Sequence, residues 1–365
     1  MNKKAEDIGK GYRMEETLRN YFLKMGHYVQ RGVPFIVDEY HITDIDLWVY
    51  WRESSLTKGI TIVDIKNKKT PQAIERILWT HGLRKATKAT KAIVATTDKR
   101  TEVSKFGKEL DILVLDGNFL NRINKPDYID SGRLTEEDLK NRILSYRLSK
   151  IDGDWNGRIF FCKSLLSHGL SFDNCNVWLE QAHYFAEQVL VKPRLKEIAL
   201  RCFYLTCSYI ALTVDYFLKD LSFVEQNERM NIITEGFSYG SRGKASTQNV
   251  LDLSLRLVEP YLQSKSLISK IRSDLNKQIS DLNTVILGEY FAKNDVSVSL
   301  FKVAKELESL AMMKLFSAHT ESSVELRSLL YCLLDFWSID RKKFSDASRL
   351  EEQSGQQLIT SILKA

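Results

Sequence analysis

A chain of 365 residues with 44% apolar side chains is long enough for two domains, and 53 Lys+Arg against 47 Asp+Glu give it a net charge of +6. Its five cysteines (Cys162, Cys175, Cys202, Cys207 and Cys332) form no C-x-x-C pair and no zinc spacing, which argues against a disulfide framework or a zinc module and fits reduced thiols in a cytoplasm. The start, Met1 to Asp7, has no apolar core of a signal peptide, and the most apolar stretch, Cys202 to Leu218, is too short and polar for a membrane span, so a cytoplasmic protein with no membrane partner is expected.

In chain order, apolar positions 14, 18, 21, 22 and 25 follow helical spacing, and Gly26 is a plausible stop for that helix. Two strand-like segments follow, Thr43–Tyr50 and Ile60–Asn67. They carry Asp44 and Asp46 on one polar face and Asp64 with Lys66 on another, because residues two apart in a strand point to the same side. Pro71 opens a helix that runs through Trp79; strands are expected at Lys91–Thr96 and Asp111–Leu115. Asn124 to Gly132 gathers turn formers around Pro126 and reads as a linker. From Thr135-Glu136-Glu137-Asp138, a helix start with acids in its first turn, the chain reads as helical. Helices are expected near 135–148, 176–191, 194–220, 246–258, 262–292, 298–316, 321–338 and 345–363, with irregular breaks at 152–157 and 236–244. The expected organisation is therefore an α/β domain over 1–125, a linker over 126–134 and an all-α domain over 135–365.

Two carboxylates and a lysine on neighbouring strands suit a hard divalent cation and an activated water. The order helix, strands, helix, strand with Asp46 and Asp64-x-Lys66 resembles the PD-(D/E)XK, or restriction-endonuclease-like, nucleases over residues 8–122. Gly11-x-x-x-Glu15 ahead of Gly26 resembles the first-helix motif of the Mrr-type restriction endonuclease branch. Two departures are tolerated in that superfamily: Ile45 stands where a proline commonly precedes the first acid, and Asp64 stands where Glu is commoner. The resemblance implies a central mixed sheet flanked by helices, with Asp46, Asp64, the Ile65 carbonyl and Glu15 around Mg²⁺ (or Mn²⁺). Lys66 would activate or position the attacking water, and Gln72 would support the site. It also implies DNA as substrate, and a role in restriction or defence. The choice of Glu15 over Glu16 rests on spacing alone, and a cross-strand salt bridge is the plain structural alternative for Asp46, Asp64 and Lys66.

Charge agrees with a polyanionic substrate. Residues 1–128 hold 23 Lys+Arg and 17 Asp+Glu, whereas the rest holds 30 of each, so the whole excess sits on the candidate nuclease domain. Lys68 and Lys69, just past the catalytic strand, are the best-placed phosphate contacts; Arg84, Lys85 and Lys88 form a second basic run that reads equally as a solvated helix face. Arg76-x-x-x-x-His81 matches the arginine–histidine spacing of a helical ribonuclease family, and Gly240 to Ala245 has the look of a phosphate loop, but each lacks its context. The helical domain is expected to recognise DNA, bind a partner defence protein or form a homodimer, the last because cutting two strands takes two sites. Junction-resolving, repair and transposon-end nucleases, and a non-catalytic binding or assembly protein with the same fold, are the alternatives.

Overall fold

The computed structural model describes residues 2–67, 72–124, 130–261 and 265–349. Helix α1 (Asn2–Lys24) ends as the sequence predicts: Gly26 takes φ +87°, the left-handed region that favours glycine, and its N–H reaches the Leu23 carbonyl at 2.9 Å. Strands β1 (Tyr28–Val37) and β2 (Tyr40–Arg52) form a hairpin whose two turn residues, Asp38 and Glu39, both have positive φ, the turn geometry that suits strand twist. β3 (Lys58–Lys66) runs antiparallel to β2. Helix α2 (Ala73–Ala86) then crosses to β4 (Lys91–Thr96), and α3 (Thr101–Glu109) crosses to β5 (Leu113–Leu115), both strands parallel to β3. Helix α4 (Gly117–Ile123) follows, capped by Asp116, which accepts from Phe119 N at 2.8 Å.

Spatial order in this mixed five-stranded sheet equals chain order. β3 is therefore central, which explains why its side chains are buried almost throughout. β1 is an edge and can hold Pro34. One face of the sheet takes α1 and α4: Met14, Leu18, Phe22, Leu120 and Ile123 pack on Val29, Leu47, Val49, Val63, Ile65, Ile93 and Ala95. On the opposite face, α2 lies over β3 and β4.

The chain continues through the C-terminal helices α5 (Glu136–Ser145), α6 (Trp155–Ser164), α7 (Phe172–Val191), α8 (Lys196–Phe217), α9 (Gln226–Tyr239), α10 (Gly243–Val258), α11 (Lys265–Ser280), α12 (Thr284–Phe291), α13 (Asn294–Met312), α14 (Val324–Phe336) and α15 (Arg341–Ser348), of which α6 and α8 lie against the sheet on that second face. Tyr28, Trp48, Tyr50, Ile60 and Ile62 share one core with Trp155, Trp178, Phe185 and Tyr209. Polar bonds cross the same junction: Tyr28 Oη lies 2.7 Å from Ser208 Oγ, and Tyr209 Oη donates to Gln30 Oε1 at 3.2 Å. Asp215, wholly buried on α8, accepts from Tyr50 Oη (2.6 Å), Arg52 Nη1 (2.7 Å) and Lys58 Nζ (3.1 Å). The sheet and the helices thus have continuous packing rather than two separate cores. Of the expected linker, 126–129 lie outside the described residues, while Gly132 and Leu134 pair with Lys314 N and Met312 O.

The apolar stretch near Cys202 is the buried core helix expected. Pro193–Leu221 is the one helical span among the described residues long and apolar enough to cross a membrane, and 89% of its apolar window is buried. Several boundaries differ from the sequence reading. The stretch 152–157 is only partly irregular: Asp154, at φ +43°, accepts from Gly157 N at 3.1 Å and starts α6, a helix the sequence reading missed. Gly236 lies inside α9, where a Cβ would meet the Phe172 ring at 2.4 Å, so its glycine serves close packing rather than a break. The expected helix over 262–292 is two, interrupted at Asp281-Leu282-Asn283. Of the last expected helix, 345–363, only 345–348 are helical among the described residues, as the end of α15, which stops at Ser348; the span beyond 349 lies outside the described residues.

Candidate active site

The site forms where the antiparallel ladder between β2 and β3 gives out. Its last pair is Leu47 with Val63. One residue beyond on β2, the side chain of Asp46 replaces the backbone: its Oδ2 accepts from Ile65 N at 2.6 Å. This fixes Asp46 against β3 and leaves Asp64 and Lys66 at the carboxyl end of a central strand that stays paired to β4 through Lys66 and Thr96. Asp64 is buried and Lys66 half-buried. Burial, then the negative charges of Asp64 and Glu15, push the Asp46 carboxyl up to about 7, against the opposing pull of Ile65 N–H and Lys66. Asp46, Asp64, Lys66 and Glu15 therefore interact electrostatically at one end of the sheet.

Glu15 sits on α1 and is turned to Arg31 of β1, whose Nη1 donates to Glu15 Oε2 at 3.3 Å. Burial raises its carboxyl above the usual range, with Arg31 opposing. Arg31 also pairs with Glu16, Nε to Oε1 at 3.0 Å, and with Glu137 of α5. Among the described residues no three His, Cys, Asp or Glu side chains converge closely enough to hold a metal, so Glu15 does not complete a ligand set in this arrangement. Gln72 is the residue before α2; it is exposed and its side chain makes no capping bond.

The sequence reading missed the side chain that most directly touches the candidate ligands. Arg76, in the first turn of α2, grips Asp64 with two nitrogens: Nε donates to Oδ2 at 2.9 Å and Nη2 to Oδ1. Burial lowers the Arg76 guanidinium, but Asp64 and Asp46 more than offset it. The signal lay in helical spacing, since Arg76 falls beside Ala73, Ile77 and Thr80 on the buried stripe of α2, where a cation needs a partner. The donor set is all oxygen, it carries two adjacent carboxylates, and one of them is driven toward protonation, first by burial and then by the charge of the other. That chemistry fits a hard divalent cation held by Asp46, Asp64 and the Ile65 carbonyl, provided that Arg76 gives up Asp64.

The expected phosphate contacts fare unevenly. Lys68 and Lys69 lie outside the described residues. Arg84 is buried and spent on Asp111, bonding its carbonyl oxygen at 2.8 Å and its carboxylate at 2.7 Å, which removes it from the basic run. Lys85 and Lys88 are exposed but do not share a helix face, because α2 ends at Ala86 and Lys88 sits in a left-handed turn at φ +54°. They also lie at the other end of α2 from Arg76, which holds Asp64, about 14 Å along the helix axis at Lys85. No protein-family model, no curated protein and no solved structure matches this chain.

Proposed function

We propose that the protein is a metal-dependent DNA endonuclease with a restriction-endonuclease-like core, using Mg²⁺ or Mn²⁺. The observation that carries this reading is the splayed end of β2 and β3, where Asp46 caps Ile65 N–H beside Asp64 and Lys66. Burial and the charge of Asp64 push the Asp46 carboxyl up to about 7, a shift that a cation between the two acids would reverse. When bound, a divalent cation lowers the pKa of its water and screens the phosphate. Asp46 and Asp64 hold the charge that positions it. Lys66 places a positive charge beside the attacking water and the developing negative charge on phosphate. The basic excess of residues 1–128 draws a polyanion to this domain. The mixed sheet, with its antiparallel hairpin and two parallel crossovers, is compatible with the fold the resemblance implies.

One observation favours the non-catalytic reading, a DNA-binding protein retaining the fold: Arg76 already neutralises Asp64. Incubation of supercoiled plasmid with the protein, with and without Mg²⁺, separates the two. Nicking or linearisation is expected only with the metal, and Asp64→Ala and Lys66→Ala should each lower the rate at least about a hundredfold. Cleavage by Asp64→Ala at the wild-type rate would remove the assignment.

A further inference from the structure

We infer that Arg76 is a stand-in for the cation: it occupies Asp64 until a phosphate backbone draws it away, so that metal and DNA each promote binding of the other. This rests on the nuclease reading above and adds a positioning residue to it. Both Asp64 oxygens are engaged by Arg76, Oδ2 by Nε at 2.9 Å and Oδ1 by Nη2. A dication and a guanidinium therefore compete for the same carboxylate. The pair is unequal in burial: the Asp64 side chain is 8% exposed and that of Arg76 25% exposed. Asp64 is fixed on a central strand that is paired to β4 at this point, opposite Val94, whereas Arg76 hangs from the first turn of a helix on a long flexible stem. The guanidinium is the partner that can leave.

Its alternative partner follows from chemistry. A planar guanidinium binds phosphate as it binds carboxylate, through two parallel N–H···O bonds. A backbone phosphate brought to the metal site arrives within the arc of the Arg76 side chain, at the same end of β3. Exchange of Asp64 for phosphate keeps the guanidinium bonded and frees the carboxylate. Coupling between two ligands is reciprocal, so DNA must tighten cation binding by the factor with which the cation tightens DNA binding.

The test uses the full chain, Ca²⁺ as the oxygen-liganding probe and a short DNA duplex. Titration calorimetry gives the Ca²⁺ affinity of wild type, Arg76→Ala and Arg76→Lys, each with and without duplex. Wild type should bind Ca²⁺ about tenfold more tightly when the duplex is present, the scale of one charge-assisted hydrogen-bonded contact. Arg76→Ala should bind Ca²⁺ about tenfold more tightly than wild type without DNA and show no further gain with it. Arg76→Lys, which keeps the charge and loses the fork, should fall between. Equal Ca²⁺ affinity in wild type and Arg76→Ala, or weaker affinity in the variant with its circular dichroism unchanged, overturns the competition. Ca²⁺ binding by none of the three, with or without duplex, overturns the metal reading itself. Loss of folded structure in Arg76→Ala shifts the decision to Arg76→Lys, where affinity equal to wild type refutes the inference.

Discussion

Replacing Asp46 by Asn should make the metal-free protein more stable at pH 8 while abolishing cleavage. The Asp46 carboxyl is raised from 3.8 to about 7 by burial and by its acidic neighbours. Between those values the folded protein keeps a proton that the unfolded chain has released, so the contribution of Asp46 to stability falls as pH rises through the window and stays low above it. An upward shift of this size costs on the order of 4 kcal/mol at pH 8. Asn cannot ionise, yet its carbonyl oxygen can still accept the Ile65 N–H that Asp46 Oδ2 accepts at 2.6 Å. Urea denaturation at pH 5 and pH 8 without divalent ions measures the difference. The variant should gain on the wild type by up to about 2.7 kcal/mol over that range, the remainder of the loss being present already at pH 5, and Mg²⁺ at a hundred times its Kd should return about 2.7 kcal/mol to the wild type only. A variant-minus-wild-type difference equal at the two pH values would show that Asp46 is not held in an electrostatically hostile place, and the argument for a cation there would lose its main support.

Two other outcomes can be checked. Asp215→Ala leaves Arg52 and the buried Lys58 facing each other without their shared carboxylate, which should cost about 3–5 kcal/mol in urea denaturation; a loss below about 1 kcal/mol would mean the cluster does not hold the sheet to α8. Lys68→Ala with Lys69→Ala should weaken binding of all DNA sequences about equally and flatten the log–log salt dependence by at most about two, measured by fluorescence anisotropy at several salt concentrations; an unchanged slope would place the affinity elsewhere.

The parts of the fold that the sequence announced are those with local signals. Gly26 marks the end of α1, Thr135 and Asp138 form the reciprocal cap that opens α5, and the apolar run of β3 is a central strand. β1 went unread because its polar residues are inside: Gln30 bonds Tyr28 and Tyr209, and Arg31 pairs with three glutamates, so the strand never alternates. Helices α6 and α9 were hidden by glycines that serve caps and close contacts. At the site, Asp46, Asp64 and Lys66 were legible because strand periodicity fixes side-chain direction. The partners of Asp64 and Glu15 were not, since Arg76 and Arg31 reach them from other elements. Sequence spacing carries no record of which of several arginines will do so. The separation into a nuclease domain and a helical domain followed composition, which does not register that Tyr28, Trp48 and Tyr50 present a second apolar face needing cover.

That shared face changes what the helices are for in physical terms. The acids of α1 and the helices of the C-terminal region meet in one ion-pair network: Arg31 joins Glu15 and Glu16 to Glu137, Arg19 joins Glu16 to Glu136, and Lys163 of α6 binds Glu136 at 2.9 Å. Burial raises Glu15, Glu16 and Glu137 above the usual carboxylate range, while Glu136, against the same burial, is held down to about 2 by Lys163 and Arg19. Half-buried charges of this kind keep their positions only while every partner is in place, because removing one strands another in a low-dielectric setting. Glu15 lies within electrostatic reach of Asp46 and Lys66, so α5 and α6 help fix the field at the candidate catalytic residues although neither contributes a ligand. The helical region thus braces Arg31 and, through it, Glu15, and the field in which the chemistry proposed for β2 and β3 would run depends on ion-pair partners supplied by α5 and α6.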